Sequence, residues 1–223
     1  MVMTRKLNRR QALSALGTVS LGALLASCGD DDAPAPTRTE TAERFGTDSN
    51  CTLTPEMTEG PFYFDADKVR RDIRDGREGV TLELALRVRD SACEPIPDAV
   101  VDIWHCDAEG SYSEEGDPFL RGVQVTNADG IAEFTTIYPG WYQGRTVHIH
   151  AKVHLDTSTV LTTQLFFDDA VTDRVFARAP YDARGERDQL NDTDGLFDEA
   201  LVLDLTEEGD AYMGTISFDV AAS

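Results

Sequence analysis

Residues 147–153 read Val-His-Ile-His-Ala-Lys-Val, and this alternation of β-branched and polar residues is typical of a β-strand. Successive side chains of a strand point to opposite faces, so His148 and His150 project from the same face. Two imidazoles at this spacing lie close enough to bind one metal ion. A proline–glycine pair predicts a turn before the strand, and Tyr142 follows that turn in a short loop. The segment therefore predicts a metal site on a strand, with a phenol beside it. The alternative is that the His-x-His pair consists of two incidental polar residues, as such pairs often do.

Short alternating segments separated by turns recur along residues 51–223. In the clearest one, at 80–89, the apolar side chains that share one face are Val80, Leu82, Leu84, Leu86 and Val88. Further strands are predicted at 99–104, 122–126, 131–137, 147–153, 160–167, 200–205 and 215–220. Residues 168–198 are polar and rich in Gly and Asp, which predicts a long excursion with a short helical turn rather than an amphipathic helix. We therefore expect an all-β fold, an antiparallel β-sandwich with long loops.

The N-terminal residues have the layout of a secretory signal. A basic stretch containing Arg9 and Arg10 precedes a small apolar run, which ends in Leu-Ala-Ser before Cys28. The run is short and rich in Gly and Ala, which argues against a membrane span. The arginine pair is typical of twin-arginine signals. We predict a signal peptide at 1–27, a disordered linker at 28–50 and one domain at 51–223.

Cys28 stands where a bacterial lipobox has its lipidated cysteine, and this resemblance implies a lipid on Cys28 after cleavage. The protein is then expected to be exported to the cell envelope and anchored by lipid outside the cytoplasmic membrane of a bacterium. An ordinary signal with a chance cysteine is the alternative. The chain has a formal net charge of −21. This acidity argues against nucleic acid as a partner, and against electrostatic docking on anionic lipid. Membrane contact is therefore expected only through Cys28.

The remaining cysteines allow one internal disulfide. Cys51 and Cys93 lie in terminal or turn-like stretches, whereas Cys106 follows an apolar strand. We predict a Cys51–Cys93 disulfide, formed in an oxidising compartment, and a buried free Cys106. A metal thiolate site has little support, because no Cys-x-x-Cys spacing is present.

Ordered motifs between about residues 54 and 167 resemble those of the intradiol ring-cleavage dioxygenases, and the likeness is to exported members of that family, which includes the catechol and protocatechuate dioxygenases. In chain order the motifs are TEGPFY (58–63), VDIWHCDAEGSY (101–112), FLRG (119–122), DG (129–130), YPGWY (138–142), RTVHIH (145–150) and TQLFF (163–167). The family's enzymes use non-haem iron(III) and are β-sandwiches, so the resemblance implies a fold that agrees with the one expected from the alternating segments.

The resemblance also implies a ligand set for Fe(III): Tyr112, Tyr142, His148 and His150. Iron(III) is a hard cation suited to phenolate oxygen and imidazole nitrogen, and a bound metal lowers the pKa of a coordinated phenol. In the family pattern Tyr142 leaves the metal when a catechol binds. Arg145 and Gln164 match positions at which a cation and an amide would stabilise negative charge developing on the ring. The implied catalytic residues are therefore Tyr142, Arg145 and Gln164.

The implied function is cleavage of a catechol-type ring between its two hydroxyls, with incorporation of both atoms of O2, to give a cis,cis-muconate-type diacid. The expected partners are a small aromatic diol and O2, and the oligomeric state stays open, a homo-oligomer included. The alternative is an envelope lipoprotein that binds a metal or an aromatic ligand without turnover.

Other residues near these motifs have open interpretations. His154 shares strand parity with His148 and His150, so a three-histidine zinc or copper site is a competing hypothesis. Tyr63 is interpreted either as a residue at the substrate mouth or as a core aromatic, and His105 as structural. Trp141 stands where many members of the family carry proline, so the identity of the catechol is left undecided.

Overall fold

The computed structural model of the protein describes residues 38–46 and 51–221. Within these residues, two four-stranded sheets have the strand orders β4-β1-β8-β7 (the first sheet) and β3-β2-β5-β6 (the second sheet). The elements are α1 (Arg38–Glu43), β1 (Thr81–Arg89), β2 (Val100–Trp104), β3 (Arg121–Val125), β4 (Ile131–Ile137), β5 (His148–Leu155), β6 (Ser158–Phe166), α2 (Asp169–Phe176), β7 (Asp204–Glu208) and β8 (Ala211–Asp219). The prediction of a mainly β fold built from two sheets is confirmed.

One strand pair departs from the predicted antiparallel arrangement. β1 pairs in parallel with β8, whereas its other neighbour, β4, is antiparallel. Antiparallel neighbours can be joined by a tight hairpin, but β8 is separated from β1 by most of the domain, so no hairpin fixes its direction. The expectation of a wholly antiparallel sandwich was therefore wrong at this pair.

The core lies between the two sheets. From the first sheet, the predicted apolar face of β1 is buried: Leu82, Leu84, Leu86 and Val88. From the second sheet, β5 contributes its odd-numbered residues Ile149, Ala151 and Val153. The even-numbered residues of β5 point the other way, yet His148, His150 and Lys152 are also buried. The outer face of the second sheet is therefore covered by other parts of the chain, and the candidate site lies there.

The region after β6 contains a longer helix than the short helical turn predicted there. α2 spans eight residues, and Asp168 caps its N-terminus by accepting a hydrogen bond of 3.0 Å from the backbone N–H of Val171. Only Thr172 and Val175 of the helix are buried, so its apolar stripe is too narrow to stand out in the sequence. The bounds of the strand predicted at 200–205 were also wrong. A 3-10 turn occupies Glu199–Leu201, and β7 begins later, as an exposed edge strand with little apolar alternation.

The structure describes one part of the predicted linker, residues 38–46, and there it differs from the prediction. α1 ends at Glu43, and Phe45 is buried against Ala85 and Ile131 on the outer face of the first sheet. The guanidinium of Arg87 lies 4.5 Å from the centroid of the Phe45 ring. A buried aromatic side chain explains why this stretch is ordered. The predicted signal at 1–27 and the rest of the linker lie outside the described residues.

The cysteine predictions are confirmed. Cys51 and Cys93 form a disulfide, and Cys106 is free and buried. Within residues 38–46 and 51–221, the helices lack the length and apolar character of a membrane span.

Candidate metal centre

Four side chains meet at one point on the outer face of the second sheet. Nε2 of His148 lies 3.4 Å from Oη of Tyr112, 3.3 Å from Oη of Tyr142 and 3.2 Å from Nε2 of His150. Nitrogen and oxygen ligands bind metal ions such as zinc at about 2.0–2.2 Å, which places neighbouring ligand atoms roughly 3 Å apart. The structure thus brings the four candidate ligands together at the spacing of atoms that share one metal ion.

Strand geometry places the two histidines, and loops place the two tyrosines. His148 and His150 are alternate residues of β5 and project from its outer face. Tyr112 lies in the loop between β2 and β3, and Tyr142 lies in the loop between β4 and β5. The cluster therefore depends on tertiary packing as well as on the His-x-His spacing.

The protonation states of the two histidines suit metal binding. Burial, together with the nearby Arg145 cation, lowers the pKa of His148 to about 3. Burial, together with His148, lowers the pKa of His150 well below 6.5. Both rings are therefore neutral near pH 7. Nδ1 of His148 donates to the carbonyl oxygen of Thr146 over 2.7 Å, which leaves the lone pair of Nε2 directed at the other three side chains.

The two phenols stay neutral unless a cation is bound. Burial raises the pKa of Tyr112 well above 10. Burial also raises the pKa of Tyr142, although Arg145 beside it opposes the rise. A coordinated metal ion reverses this effect by stabilising the phenolate. Two phenolates and two neutral imidazoles form a donor set that fits Fe(III). No group of three or more His, Cys, Asp or Glu suited to a metal occurs in the described part of the chain, so the tyrosines are needed to complete a site.

Arg145 and Gln164 contact each other beside the cluster. Nη2 of Arg145 donates to Oε1 of Gln164 over 2.6 Å, and Nε2 of Gln164 donates to the carbonyl oxygen of Thr58 over 2.9 Å. Nε of Arg145 donates to Oδ2 of Asp194 over 2.9 Å, and this same oxygen accepts the backbone N–H of Thr146. Asp194 therefore fixes the position of the Arg145 cation. This role of Asp194 was not predicted, because the residue lies in a polar loop without a motif.

Aromatic rings enclose the cluster. Trp104 of β2 is fully buried, and its ring is stacked on that of His150. The ring of Phe62 stacks on Tyr112 with centroids 4.3 Å apart and meets the ring of Tyr142 edge-on at 6.1 Å. Phe62 is 39% exposed, so it marks the solvent side of the cluster. Tyr63, whose position was left open, is half-buried and packs against Trp104 with centroids 4.8 Å apart.

The competing three-histidine site is wrong. His154 lies near the far end of β5, roughly 20 Å along the strand from His148, and the strand pairing shifts between Val153 and His154. Oγ1 of Thr159 lies 2.9 Å from Nδ1 of His154. His105 is fully buried, and its ring nitrogens are hydrogen-bonded to the carbonyl oxygen of Cys106 and to Thr136, in agreement with a structural role.

Comparison with known proteins identifies the family. The family model Dioxygenase_C, described as "Dioxygenase", matches residues 54–220, which is most of the chain. This protein belongs to the intradiol ring-cleavage dioxygenases.

Individual relatives agree with that assignment. A catechol 1,2-dioxygenase of Pseudomonas sp. (strain EST1001) is 31% identical over 139 residues, which are 50% of this chain and 46% of that protein. The chain thus spans about half the length of the curated relatives it matches. An intradiol ring-cleavage dioxygenase structure from Tetranychus urticae has a TM-score of 0.73 and 31% identity, covering 77% of this chain and 95% of the other. A dioxygenase domain from Streptomyces sp. SirexAA-E, part of a fusion with a carbohydrate-binding protein, has a TM-score of 0.62 and 34% identity, covering 77% and 100%.

Proposed function

We propose that this protein is a non-haem iron(III) dioxygenase that cleaves a catechol-type ring between its two hydroxyls and releases a cis,cis-muconate-type diacid. The observation that carries the proposal is the convergence of two phenol oxygens and an imidazole nitrogen within 3.2–3.4 Å of Nε2 of His148. Family membership supports the type of reaction, and the names of the curated relatives support a catechol-type substrate.

In this proposal Tyr112, Tyr142, His148 and His150 hold Fe(III). When bound, the iron would supply a Lewis acid that activates a catechol held at these four residues for reaction with O2. The resting charge balance is favourable, because two phenolates offset most of the charge of the cation while the histidines remain neutral.

The two tyrosines are suited to different roles. Phe62 stacks on Tyr112, and burial holds the pKa of the Tyr112 phenol well above its usual value. Tyr142 lies in a loop whose next residues, Gln143 and Gly144, are exposed, and the Arg145 cation is beside it. We assign Tyr142 as the ligand that is displaced by substrate. Its phenolate oxygen would then accept a proton from a catechol hydroxyl.

Arg145 and Gln164 would provide a cation and an amide in fixed positions beside the bound ring. The guanidinium is held by Asp194 on one side and by Gln164 on the other, so little reorganisation is needed when negative charge develops on a catecholate. Phe62 and Trp104 supply apolar surface that limits the access of water.

We propose export and lipid attachment at Cys28 as the setting for this activity. The motifs at 1–28 support that proposal, and the Cys51–Cys93 disulfide is consistent with an oxidising compartment. Mass spectrometry of the protein from a bacterial envelope, compared with the Cys28→Ala variant, tests this. An N-terminus other than a lipid-modified Cys28 would contradict it.

The activity is tested by visible absorption of protein purified without chelator, followed by addition of catechol. The expected result is a visible band from tyrosinate-to-iron(III) charge transfer that shifts on adding catechol, together with uptake of one O2 per ring cleaved. Colourless protein that contains zinc or no metal would overturn the proposal. An iron-coloured protein that takes up no O2 with any of a panel of catechols would favour the non-catalytic alternative.

A further inference from the structure

β5 carries one buried charge beyond the candidate ligands. Lys152 follows His150 by two residues on the same outer face and is only 7% exposed. Its Nζ donates to the carboxylate of Glu59, whose side chain is 46% exposed, and lies 3.4 Å from the centroid of the Tyr63 ring. A lysine this deeply buried is found where its charge is paired. This pairing ties β5 to a distant part of the sequence.

Both partners of Lys152 belong to one stretch of chain, residues 58–63, which we name the covering segment. Other buried side chains of the second sheet hold its two ends. Gln164 donates to the carbonyl oxygen of Thr58 over 2.9 Å, and Nη2 of Arg121 donates to the carbonyl oxygen of Phe62 over 3.1 Å. The bond from Lys152 to Glu59 lies between these two and holds the middle of the segment.

The covering segment contacts two of the candidate ligands. The backbone of Gly60 is so close to His150 that a Cβ at this position would lie 3.1 Å from Cε1 of the imidazole, and its φ of +71° also favours glycine. Two residues later, the Phe62 ring is stacked on Tyr112. The position of the segment therefore affects one nitrogen ligand and one oxygen ligand.

His150 is especially dependent on such packing. Metal-binding histidines usually donate the second ring N–H to a carbonyl or carboxylate oxygen, as His148 does. Nδ1 of His150 is buried and has no hydrogen-bond partner among the described residues. Its ring orientation is set by stacking on Trp104 and by the close approach of Gly60.

We propose that Glu59 and Lys152 are positioning residues: their ion pair holds the covering segment against the metal centre, so that Gly60 confines His150 and Phe62 covers Tyr112. The iron and catechol readouts of this inference rest on the proposed function, whereas the contacts themselves do not. Breaking the pair should free the covering segment, speed the loss of metal and disturb the solvent side of the substrate site.

Substitution of Lys152 and substitution of Glu59 leave different charged groups without their partner. Lys152→Met keeps most of the apolar stem and leaves Glu59 free to reach water. Glu59→Gln leaves a buried ammonium, but Asp102 lies directly opposite Lys152 on β2 and accepts a hydrogen bond from Tyr63. A carboxylate near the ammonium supports folding of the Glu59→Gln protein, so both variants are usable.

The experiment compares wild-type protein with Lys152→Met, Glu59→Gln and the double variant. The first readout is hydrogen exchange of the backbone amides of the covering segment. The second is the rate at which bound iron passes to a chelator, and the third is KM and kcat with catechol. We expect faster exchange in the covering segment, iron release roughly 10–100-fold faster, and a larger change in KM than in kcat. The double variant should be no worse than the more affected single variant, because each change breaks the same pair.

Asp219→Asn is the matched control. It breaks a buried ion pair between Arg89 and Asp219 in the first sheet, away from the candidate centre. This control should unfold more easily while keeping wild-type iron release and KM. The proposal is overturned if Lys152→Met and Glu59→Gln exchange and release iron at wild-type rates, or if Asp219→Asn changes these readouts as much.

Failure of the proposed function can be distinguished from failure of this inference. If the wild-type protein bound no iron, the proposed function would fail, and hydrogen exchange of the covering segment would alone decide the role of the ion pair.

Discussion

Trp104 and His150 lie directly opposite each other on the neighbouring strands β2 and β5, and their rings are stacked with centroids 4.9 Å apart and planes inclined by only 4°. The cross-strand pairing fixes the separation of the two side chains, and burial of Trp104 prevents its ring from turning away. The indole thereby takes the orienting role that a hydrogen bond takes for His148.

Two substitutions of Trp104 should therefore distinguish the effect of ring stacking on iron binding from the effect of packing on stability. Trp104→Phe keeps an aromatic face, whereas Trp104→Leu does not. Both should lower the free energy of unfolding by roughly 1–4 kcal/mol through lost packing. Iron affinity should fall roughly 10-fold or more in Trp104→Leu and much less in Trp104→Phe. Urea unfolding and metal titration measure the two effects. Equal losses of iron affinity in the two variants would show that stacking is not what orients His150.

Removing the Tyr142 hydroxyl should affect turnover and colour together. In Tyr142→Phe we expect kcat to fall roughly 10²–10⁴-fold, because the proton acceptor and one ligand are lost, and the visible band to weaken. Stopped-flow assays and absorption spectra measure this. Tyr212→Phe is the matched control, since Oη of Tyr212 is buried and has no hydrogen-bond partner among the described residues. Its colour and kcat should equal those of the wild type. Normal turnover in Tyr142→Phe would remove this residue from the mechanism.

Loss of the Asp194 carboxylate should reduce kcat with little change in iron content. Asp194→Asn weakens the hold on Arg145, which keeps its bond to Gln164, so the cation remains present but less well placed. We expect kcat to decrease roughly 10-fold, because charge stabilisation depends on a fixed cation. Steady-state kinetics and iron analysis on the same preparation measure both quantities. A variant that lost its iron in proportion to its activity would instead indicate a structural role for Asp194.

Acid should destabilise the metal-free protein partly through His105. Burial lowers the pKa of His105 from 6.5 to about 4, so the folded state keeps this ring neutral while the unfolded state protonates it. The unfolded state binds more protons between these two values, and the free energy of unfolding therefore falls as the pH drops below about 6.5. This group should contribute a loss of about 2 kcal/mol between about pH 7.5 and about pH 5.

Urea unfolding of wild-type and His105→Gln protein at both pH values measures that contribution. The variant should start less stable but lose less on acidification, because glutamine does not titrate. Identical pH dependence in the two proteins would contradict the role assigned to His105.

The disulfide should contribute substantially to stability. Cys51 and Cys93 are 42 residues apart in sequence, and cross-links of this span restrict the unfolded chain by roughly 3–4 kcal/mol. The Cys51→Ser/Cys93→Ser double variant should show that loss in urea unfolding. Reducing agent should destabilise the wild type by a similar amount and leave the double variant unchanged. A wild-type protein that is insensitive to full reduction would contradict this expectation.

Local patterns in the sequence predicted the parts of the molecule that depend on local geometry. The buried face of β1 and the shared face of His148 and His150 follow from strand alternation. Tyr142 was placed beside the histidines by the short loop before β5, whereas Tyr112 came only through the family resemblance, because its longer loop leaves no periodic signal. The stacking of Trp104 on His150 depends on the register between two strands, which one sequence does not reveal.

The features that were missed are either long-range contacts or elements with weak apolar patterns. Lys152 had the right strand parity to be noticed, but its partner Glu59 lies 93 residues earlier in the chain. α2 and β7 expose most of their side chains, so their apolar patterns were too weak to separate helix from strand in a polar region. The parallel β1–β8 pair depends on where the last strand of the sheet arrives after all the others.

The parallel β1–β8 pair also determines when the domain can finish folding during its synthesis. β8 lies between β1 and β7 within the first sheet, yet it is the last of these strands to leave the ribosome. Until it is made, β1 has an open edge, and the apolar face of the nascent sheet lacks Tyr212 and Phe218. Folding of this domain must therefore finish after translation of its final strand. Its polypeptide spends that interval with an unpaired strand edge, which is a site for pairing with a strand of another chain.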